Sequence, residues 1–115
     1  MSREELLAAQ REVDAVRVDD VVLDYAHEIV LGTRKTLLLS LGASTRAALA
    51  LARAVRAHAL VDGRTFATPD DVKALAVVTL AHRVRPRETP GDRAAERETA
   101  ARAVREVVDA IPVPI

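Results

Sequence analysis

Cysteine and tryptophan are missing from this 115-residue chain, and its aromatic residues are limited to Tyr25 and Phe66. A sequence without cysteine has neither a disulfide framework nor a thiolate metal site. Two isolated aromatic side chains do not make the platform on which single-stranded nucleic acid stacks. The 17 basic side chains are matched by 17 acidic ones, so the basic excess typical of DNA- and RNA-binding proteins is missing too. We therefore expect no nucleic-acid partner.

Long apolar runs are also missing. No stretch approaches the ~20 apolar residues that cross a bilayer, and the first ten residues, MSREELLAAQ, are charged and lack the apolar segment of a signal peptide. We expect no membrane span and a cytoplasmic protein. Half of the residues are apolar, which supplies one core, and the length suits a single domain over residues 1–115.

Helix-forming residues dominate what is present, since Ala, Leu, Arg and Glu are abundant while glycine and proline are few. The apolar spacing predicts helices over 3–13, from about 20 to Gly32, 44–63, 68–84 and 92–110. Residues 15–18 and 64–67 read as extended, 37–41 as a brief apolar linker and 86–91 as a loop. The predicted fold is all-α, a compact bundle of about five helices with one very short extended segment near 64–67.

Helix boundaries carry clear chemical signals. Ser44 is a suitable N-cap for the third helix, and Gly63 suits the left-handed position after its end. The strongest start signal is the Thr-Pro-Asp-Asp run at 68–71, which combines a capping threonine, a proline at the first helical position and an acid three residues after the cap. A metal or acid–base role for the two carboxylates is the alternative, and their place behind the cap favours capping.

Catalytic and metal-binding patterns are not recognisable. None of the histidines, at 27, 58 and 82, lies three or four residues from another histidine, so the helical zinc-binding pattern is missing and we expect no metal site. The serines and threonines have no histidine and acid context that indicates a nucleophile. Neither a GxxxxGK[ST] phosphate loop nor a GxGxxG motif occurs. We therefore expect no catalytic residue within this chain alone, and no means by which it hydrolyses a nucleotide unaided.

Arginines are the chemically interesting population, because residues 21–60 hold five basic and two acidic groups. Arg46 lies in the first turn of the third predicted helix, Arg53 falls on nearly the same face, and Arg56 lies beside it. A helix N-terminus and a guanidinium together favour an anion, since both present N–H donors to the same space. The alternative is a solvated basic face, which spacing alone favours.

Residues 42–84 resemble the C-terminal lid domain of MoxR-type AAA+ ATPases. The resemblance covers about residues 3–84 and, less specifically, the final helix. It rests on several motifs in the family's order: Thr33-Arg34, Gly42-Ala43-Ser44 followed by Arg46, Gly63-Arg64, Thr68-Pro69-Asp70-Asp71-Val72 and His82-Arg83.

The resemblance implies a helical lid that packs on an ATPase core, with ATP at the junction and Mg²⁺ held by the core. It assigns Arg46 as the sensor 2 residue, which reaches the γ-phosphate, whereas Arg34, Arg64 and Arg83 take structural or interdomain roles. Thr45 stands where the family usually has proline, and threonine presets the backbone of a first helical turn less firmly. The resemblance also implies a hexameric ring, chaperone-like remodelling and partners with von Willebrand factor A domains.

The phosphate loop, the acidic metal-coordinating motif and the arginine finger of such ATPases belong to the core, and this sequence contains none of them. The chain is therefore either a lid cut from an ATPase or a lid-like module that works alone. A rival hypothesis is a stand-alone helical interaction module, histone-like or nucleic-acid binding, suggested by the helix–extended–helix pattern over 45–84. The neutral net charge weighs against this rival.

Overall fold

A computed structural model describes residues 1–88 and 91–114. Within these residues the chain forms five α-helices: α1 (Arg3–Asp14), α2 (Asp20–Lys35), α3 (Thr45–Val61), α4 (Pro69–Leu80) and α5 (Arg93–Ala110). A 3-10 turn, Ala81–Arg83, follows α4, so the fourth α-helix ends four residues earlier than the predicted 84. The expectation of an all-α bundle of about five helices is confirmed.

The core lies around α4, which contacts α2, α3 and α5. Each of the helices α2 to α5 contributes one buried stripe, and burying one large apolar side chain stabilises the fold by about 1.5–3 kcal/mol. Helix α1 is different, because none of its residues is buried and it lies against the outside of α3. The largest buried apolar side chains are Tyr25, Ile29 and Val30 from α2, Leu51 and Val55 from α3, Val72 and Leu80 from α4, and Val104 from α5.

The prediction that α2 begins to end at Gly32 is wrong. The helix continues to Lys35, and Thr36 then turns to extended backbone. The glycine serves packing instead of termination, because a Cβ at position 32 would lie 2.6 Å from Val107 Cγ1 of α5. The missing side chain lets α2 and α5 approach closely, and the spacing within α2 carries no sign of that contact.

Two pairs of extended segments tie the helix ends together. The Arg17 amide donates to the Thr65 carbonyl at 2.9 Å and the Ala67 amide donates to the Arg17 carbonyl at 2.9 Å, which confirms the extended segment near 64–67. Residues predicted as a linker over 37–41 include a strand, β1 (Leu39–Leu41), which pairs antiparallel with β2 (Arg85–Pro86). Pro86 thus belongs to a strand and not to the predicted loop 86–91, whose residues 89 and 90 lie outside the described residues.

Among the helices that the structure describes, none combines the length and the hydropathy that a bilayer span requires.

Candidate functional site

Arg46 is the second residue of α3. Ser44 caps this helix with extended backbone, and its hydroxyl oxygen accepts a hydrogen bond from the Ala47 amide at 3.2 Å. The Arg46 side chain is exposed, and within residues 1–88 and 91–114 it makes neither a hydrogen bond nor an ion pair. Free N–H groups of the first helical turn and an unpaired guanidinium therefore lie at one end of α3, which is an arrangement that favours an anion.

The loop that precedes α3 is attached to the C-terminal end of α2 by two hydrogen bonds, both to Ala43. Thr33 Oγ1 donates to the Val30 carbonyl at 2.6 Å and accepts from the Ala43 amide at 2.9 Å. Arg34 Nε donates to the Ala43 carbonyl at 2.7 Å. Both backbone polar groups of Ala43 are thus bonded to neighbouring residues of α2. Arg34, which the family resemblance brings forward, contacts the loop that leads to Arg46.

Gly42 allows this attachment. A Cβ at position 42 would lie 2.6 Å from the Arg34 Cα, the Arg34 nitrogen and the Thr33 carbonyl oxygen. All three atoms belong to the backbone of α2, so they cannot move aside as the end of a flexible side chain would. Glycine is therefore required for the loop to lie against the helix.

Two apolar side chains near Arg46 in sequence are exposed. Leu41 and Leu49 flank Arg46 in sequence and are 59% and 63% exposed. Arg53 is exposed on the same face of α3, two turns further on, where it lines a groove against α1. Arg56 is half-buried, and its Nη1 atom donates to the Ala52 carbonyl of its own helix at 3.5 Å.

A second polar cluster is centred on Asp71, whose side chain is buried. Arg64 donates two hydrogen bonds to this carboxylate, at 2.6 and 2.8 Å, and His58 Nδ1 lies 2.7 Å from Asp71 Oδ1. The Thr68 amide and hydroxyl donate to Asp71 Oδ2 at 2.7 and 3.2 Å, so the predicted capping role of this acid is confirmed. The hydrogen bonds from Arg64 are the main reason why the pKa of Asp71 lies well below its usual range.

This cluster has a structural role. It connects the end of α3, the 62–68 segment and the first turn of α4, and Arg64 Nη1 also donates to the Phe66 carbonyl at 3.0 Å. The Asp71 hydrogen bonds raise the pKa of Arg64, so the guanidinium stays charged. The contacts of His58 and Arg64 with Asp71 were not predicted from the sequence, because they depend on the turn between two helices and not on spacing within one.

The remaining residues singled out from the sequence do not meet at one place. His27, His82 and Arg83 are exposed, and the described part of the chain holds no group of three or more histidine or acidic side chains arranged to bind a metal ion. The arrangement that can bind an anion is thus Arg46, which lies at the start of α3 after a loop that α2 holds in place.

The AAA lid domain family matches residues 31–107, which include Arg46, Thr33, Arg34 and Gly42. The chain belongs to the AAA lid domain family. It is similar to the uncharacterized protein YeaC of Bacillus subtilis (strain 168), with 37% identity over 115 residues that make up 100% of this chain and 35% of YeaC. A crystal structure of a protein proposed to be an ATPase, from Cytophaga hutchinsonii ATCC 33406, shares the fold with a TM-score of 0.74. That match covers 91% of this chain and 34% of the other, at 24% identity. The chain therefore spans about a third of the length of each relative.

Proposed function

We propose that this chain is the lid of a MoxR-like AAA+ ATPase, which closes over ATP bound to a separate core domain and supplies Arg46 as the sensor 2 arginine. The proposal rests on membership of the AAA lid domain family together with the order of motifs from Thr33 to Arg83. The chain carries no phosphate-binding loop. The nucleotide and its Mg²⁺ therefore belong to the core in this proposal.

The observation that carries the proposal is the presentation of Arg46. Its guanidinium is exposed and free of partners in the described residues, whereas the backbone leading to it is held by Thr33 and Arg34. Arg53 is also exposed and has no partner in the described residues, so what distinguishes Arg46 is its place in the first turn of α3, directly after the loop that α2 holds. Leu41 and Leu49, near Arg46 in sequence, are exposed and supply apolar area that a docked core domain would cover.

The role of Arg46 follows from guanidinium chemistry. On lid closure its planar N–H groups would donate to γ-phosphate oxygens, a charge-assisted contact that ends when hydrolysis separates that phosphate from ADP. Loss of the contact would free the lid to rotate against the core. A hexameric ring, chaperone-like remodelling and partners with von Willebrand factor A domains complete the proposal and rest on the MoxR resemblance.

The direct test replaces Arg46 by alanine in the full-length gene product and measures steady-state ATP hydrolysis. A charge-assisted contact is worth about 1.5–3 kcal/mol, so we expect kcat/KM to fall by roughly tenfold to a hundredfold. The lid should stay folded, because the replaced side chain is exposed and the Ser44 cap is unchanged. Circular dichroism checks the fold.

Arg53→Ala is the matched control, since Arg53 is an exposed arginine on the same face of the same helix. It should leave ATP hydrolysis near the wild-type rate. Equal rates for wild type and Arg46→Ala would refute the sensor 2 assignment, and equal losses in both variants would indicate a general effect of charge on this face.

A further inference from the structure

We infer that Thr33 and Arg34, at the C-terminal end of α2, are positioning residues that set the direction of Arg46 through the loop 42–44. This inference rests on the proposed role of Arg46 and deepens it. It predicts that a residue with no contact to nucleotide controls how well the arginine reaches one.

The polar contacts converge on Ala43. The Ala43 amide donates to Thr33 Oγ1 and its carbonyl accepts from Arg34 Nε, at 2.9 and 2.7 Å. Ala43 itself is 1% exposed, so its methyl group holds the middle of the loop in the core while the two polar groups fix its rotation. A buried amide that loses its partner is costly, which keeps this arrangement closed.

Steric contact with the same turn of α2 also restricts the loop. Gly42 lies so close to α2 that a Cβ would collide with the backbone of Thr33 and Arg34 at 2.6 Å. The contact at Gly42 prevents the loop from moving toward the helix. Rotation about Ala43 would break a hydrogen bond. Its position is thus determined by the last turn of α2.

The constraint reaches Arg46 through a short path. Ser44 and Thr45 are the residues between Ala43 and Arg46, and Ser44 bonds to the amide of Ala47, which is 0% exposed. Arg46 therefore starts from a backbone anchored on both sides, at Ala43 and Ala47. A shift of the end of α2 would move this start as a unit.

Replacing Arg34 distinguishes a role in positioning Arg46 from a role in the stability of the fold. The residue is exposed, so truncating it opens no cavity in the core, and the hydrogen bond it loses joins its side chain to the loop alone. A role confined to folding would make Arg34→Ala a stability variant. If Arg34 has a positioning role, Arg34→Ala changes the position of Arg46. The effects of replacing the two arginines should then depend on each other.

A double-mutant cycle in the full-length gene product measures that dependence. We expect Arg34→Ala to lower kcat/KM for ATP by about threefold to tenfold, in line with one hydrogen bond. The double variant Arg34→Ala/Arg46→Ala should be no slower than Arg46→Ala alone, because positioning has no value once the positioned group is gone. Multiplying losses, or an unchanged rate in Arg34→Ala, would overturn the inference.

A structural measurement on the 115-residue chain keeps the inference separate from the proposed function. Amide hydrogen exchange by NMR should show about a tenfold faster exchange at Ala43 in Arg34→Ala, while Ala76 in α4 keeps its wild-type protection. Arg53→Ala, the control, should leave both amides unchanged. Unchanged exchange at Ala43 in Arg34→Ala would contradict the positioning role. If Arg46→Ala hydrolyses ATP normally, the sensor 2 proposal is the one that fails.

Discussion

Asp71 shows how one side chain joins two helices. Five hydrogen bonds, from Arg64, His58 and Thr68, end on its two carboxylate oxygens. A charge this deeply buried is tolerated because each oxygen is paired with a donor. The result is a fixed angle between the end of α3 and the start of α4, and α3 is the helix that carries Arg46.

Asp71→Asn should therefore destabilise the domain strongly. Asparagine removes one of the two carboxylates that pair with Arg64, while Asp62 Oδ2 remains 3.0 Å from Arg64 Nε, so we expect a cost of about 1–3 kcal/mol. Urea unfolding of the 115-residue chain measures this loss. Asp70→Asn is the matched control, since Asp70 is the exposed neighbour in the same helical turn and should cost less than about 1 kcal/mol. Similar losses for the two variants would contradict the structural role of Asp71.

The pH dependence of that loss has a defined sign. The pKa of Asp71 in the folded protein lies below its unfolded value of about 3.9, mainly because of Arg64. Its contribution is then fully present above the unfolded pKa and declines as pH falls toward the folded pKa. The difference in unfolding free energy between wild type and Asp71→Asn should shrink as the pH falls below about 4. A difference that persists unchanged at about pH 3 would count against the ion pair.

Residues acting within one helix were predictable from the sequence, and residues acting between elements were not. The cap formed by Thr68 and Asp71 follows from a spacing of three, and Gly63 adopts the predicted left-handed backbone, with φ of +79°. Arg64 and His58 reach Asp71 across the turn between α3 and α4, so the periodicity of a single helix does not predict these contacts. The Arg34–Ala43 contact likewise joins the end of one helix to the loop before the next.

At the scale of elements, the approach of α2 to α5 depends on Gly32. A glycine inside a helix costs about 1 kcal/mol relative to alanine, so its presence needs a packing reason. That reason is the 2.6 Å that would separate an added Cβ from Val107 Cγ1. Because α2 also holds the loop before Arg46, the packing of α2 against α5 affects the position of the candidate site.

Gly32→Ala should consequently destabilise the domain in spite of the better helix propensity of alanine. Overpacking costs about 1–3 kcal/mol, so a net loss of about 1 kcal/mol is expected in urea unfolding. Combining it with Val107→Ala gives the added methyl group room, and the double variant should lose less than the sum of the two single variants. A gain in stability for Gly32→Ala alone would show that α2 and α5 pack less tightly than described.

The two-stranded sheet marks the limit of prediction at this scale. Residues 37–41 show no clean alternation, and their partner strand lies more than 40 residues later in the chain. Strand pairing over such a distance is decided by how the helices pack, which brings Leu39 beside Pro86. Helices, in contrast, were predictable because their periodic apolar faces are local.

At the scale of the whole molecule, we propose a lid that acts with an ATPase core domain outside residues 1–115. The chain spans about a third of each relative. Within the described residues Arg46 has no partner, and Leu41 and Leu49, which are near it in sequence, are exposed. The intact mass of the native gene product shows whether the proposed core is on the same polypeptide. The ATP hydrolysis assays above then apply to that product, or to its complex with a separate core.

The most direct test of the central claim asks what lies beside the γ-phosphate. Photolabelling the full-length product with an ATP analogue that carries an aryl azide on the γ-phosphate, followed by trypsin digestion and mass spectrometry, identifies the neighbouring residues. If Arg46 acts as sensor 2, label appears in the peptides 36–46 or 47–53, which meet at Arg46, and excess ATP prevents it. Label confined to peptides outside residues 1–115 would contradict the claim that this lid contacts the nucleotide.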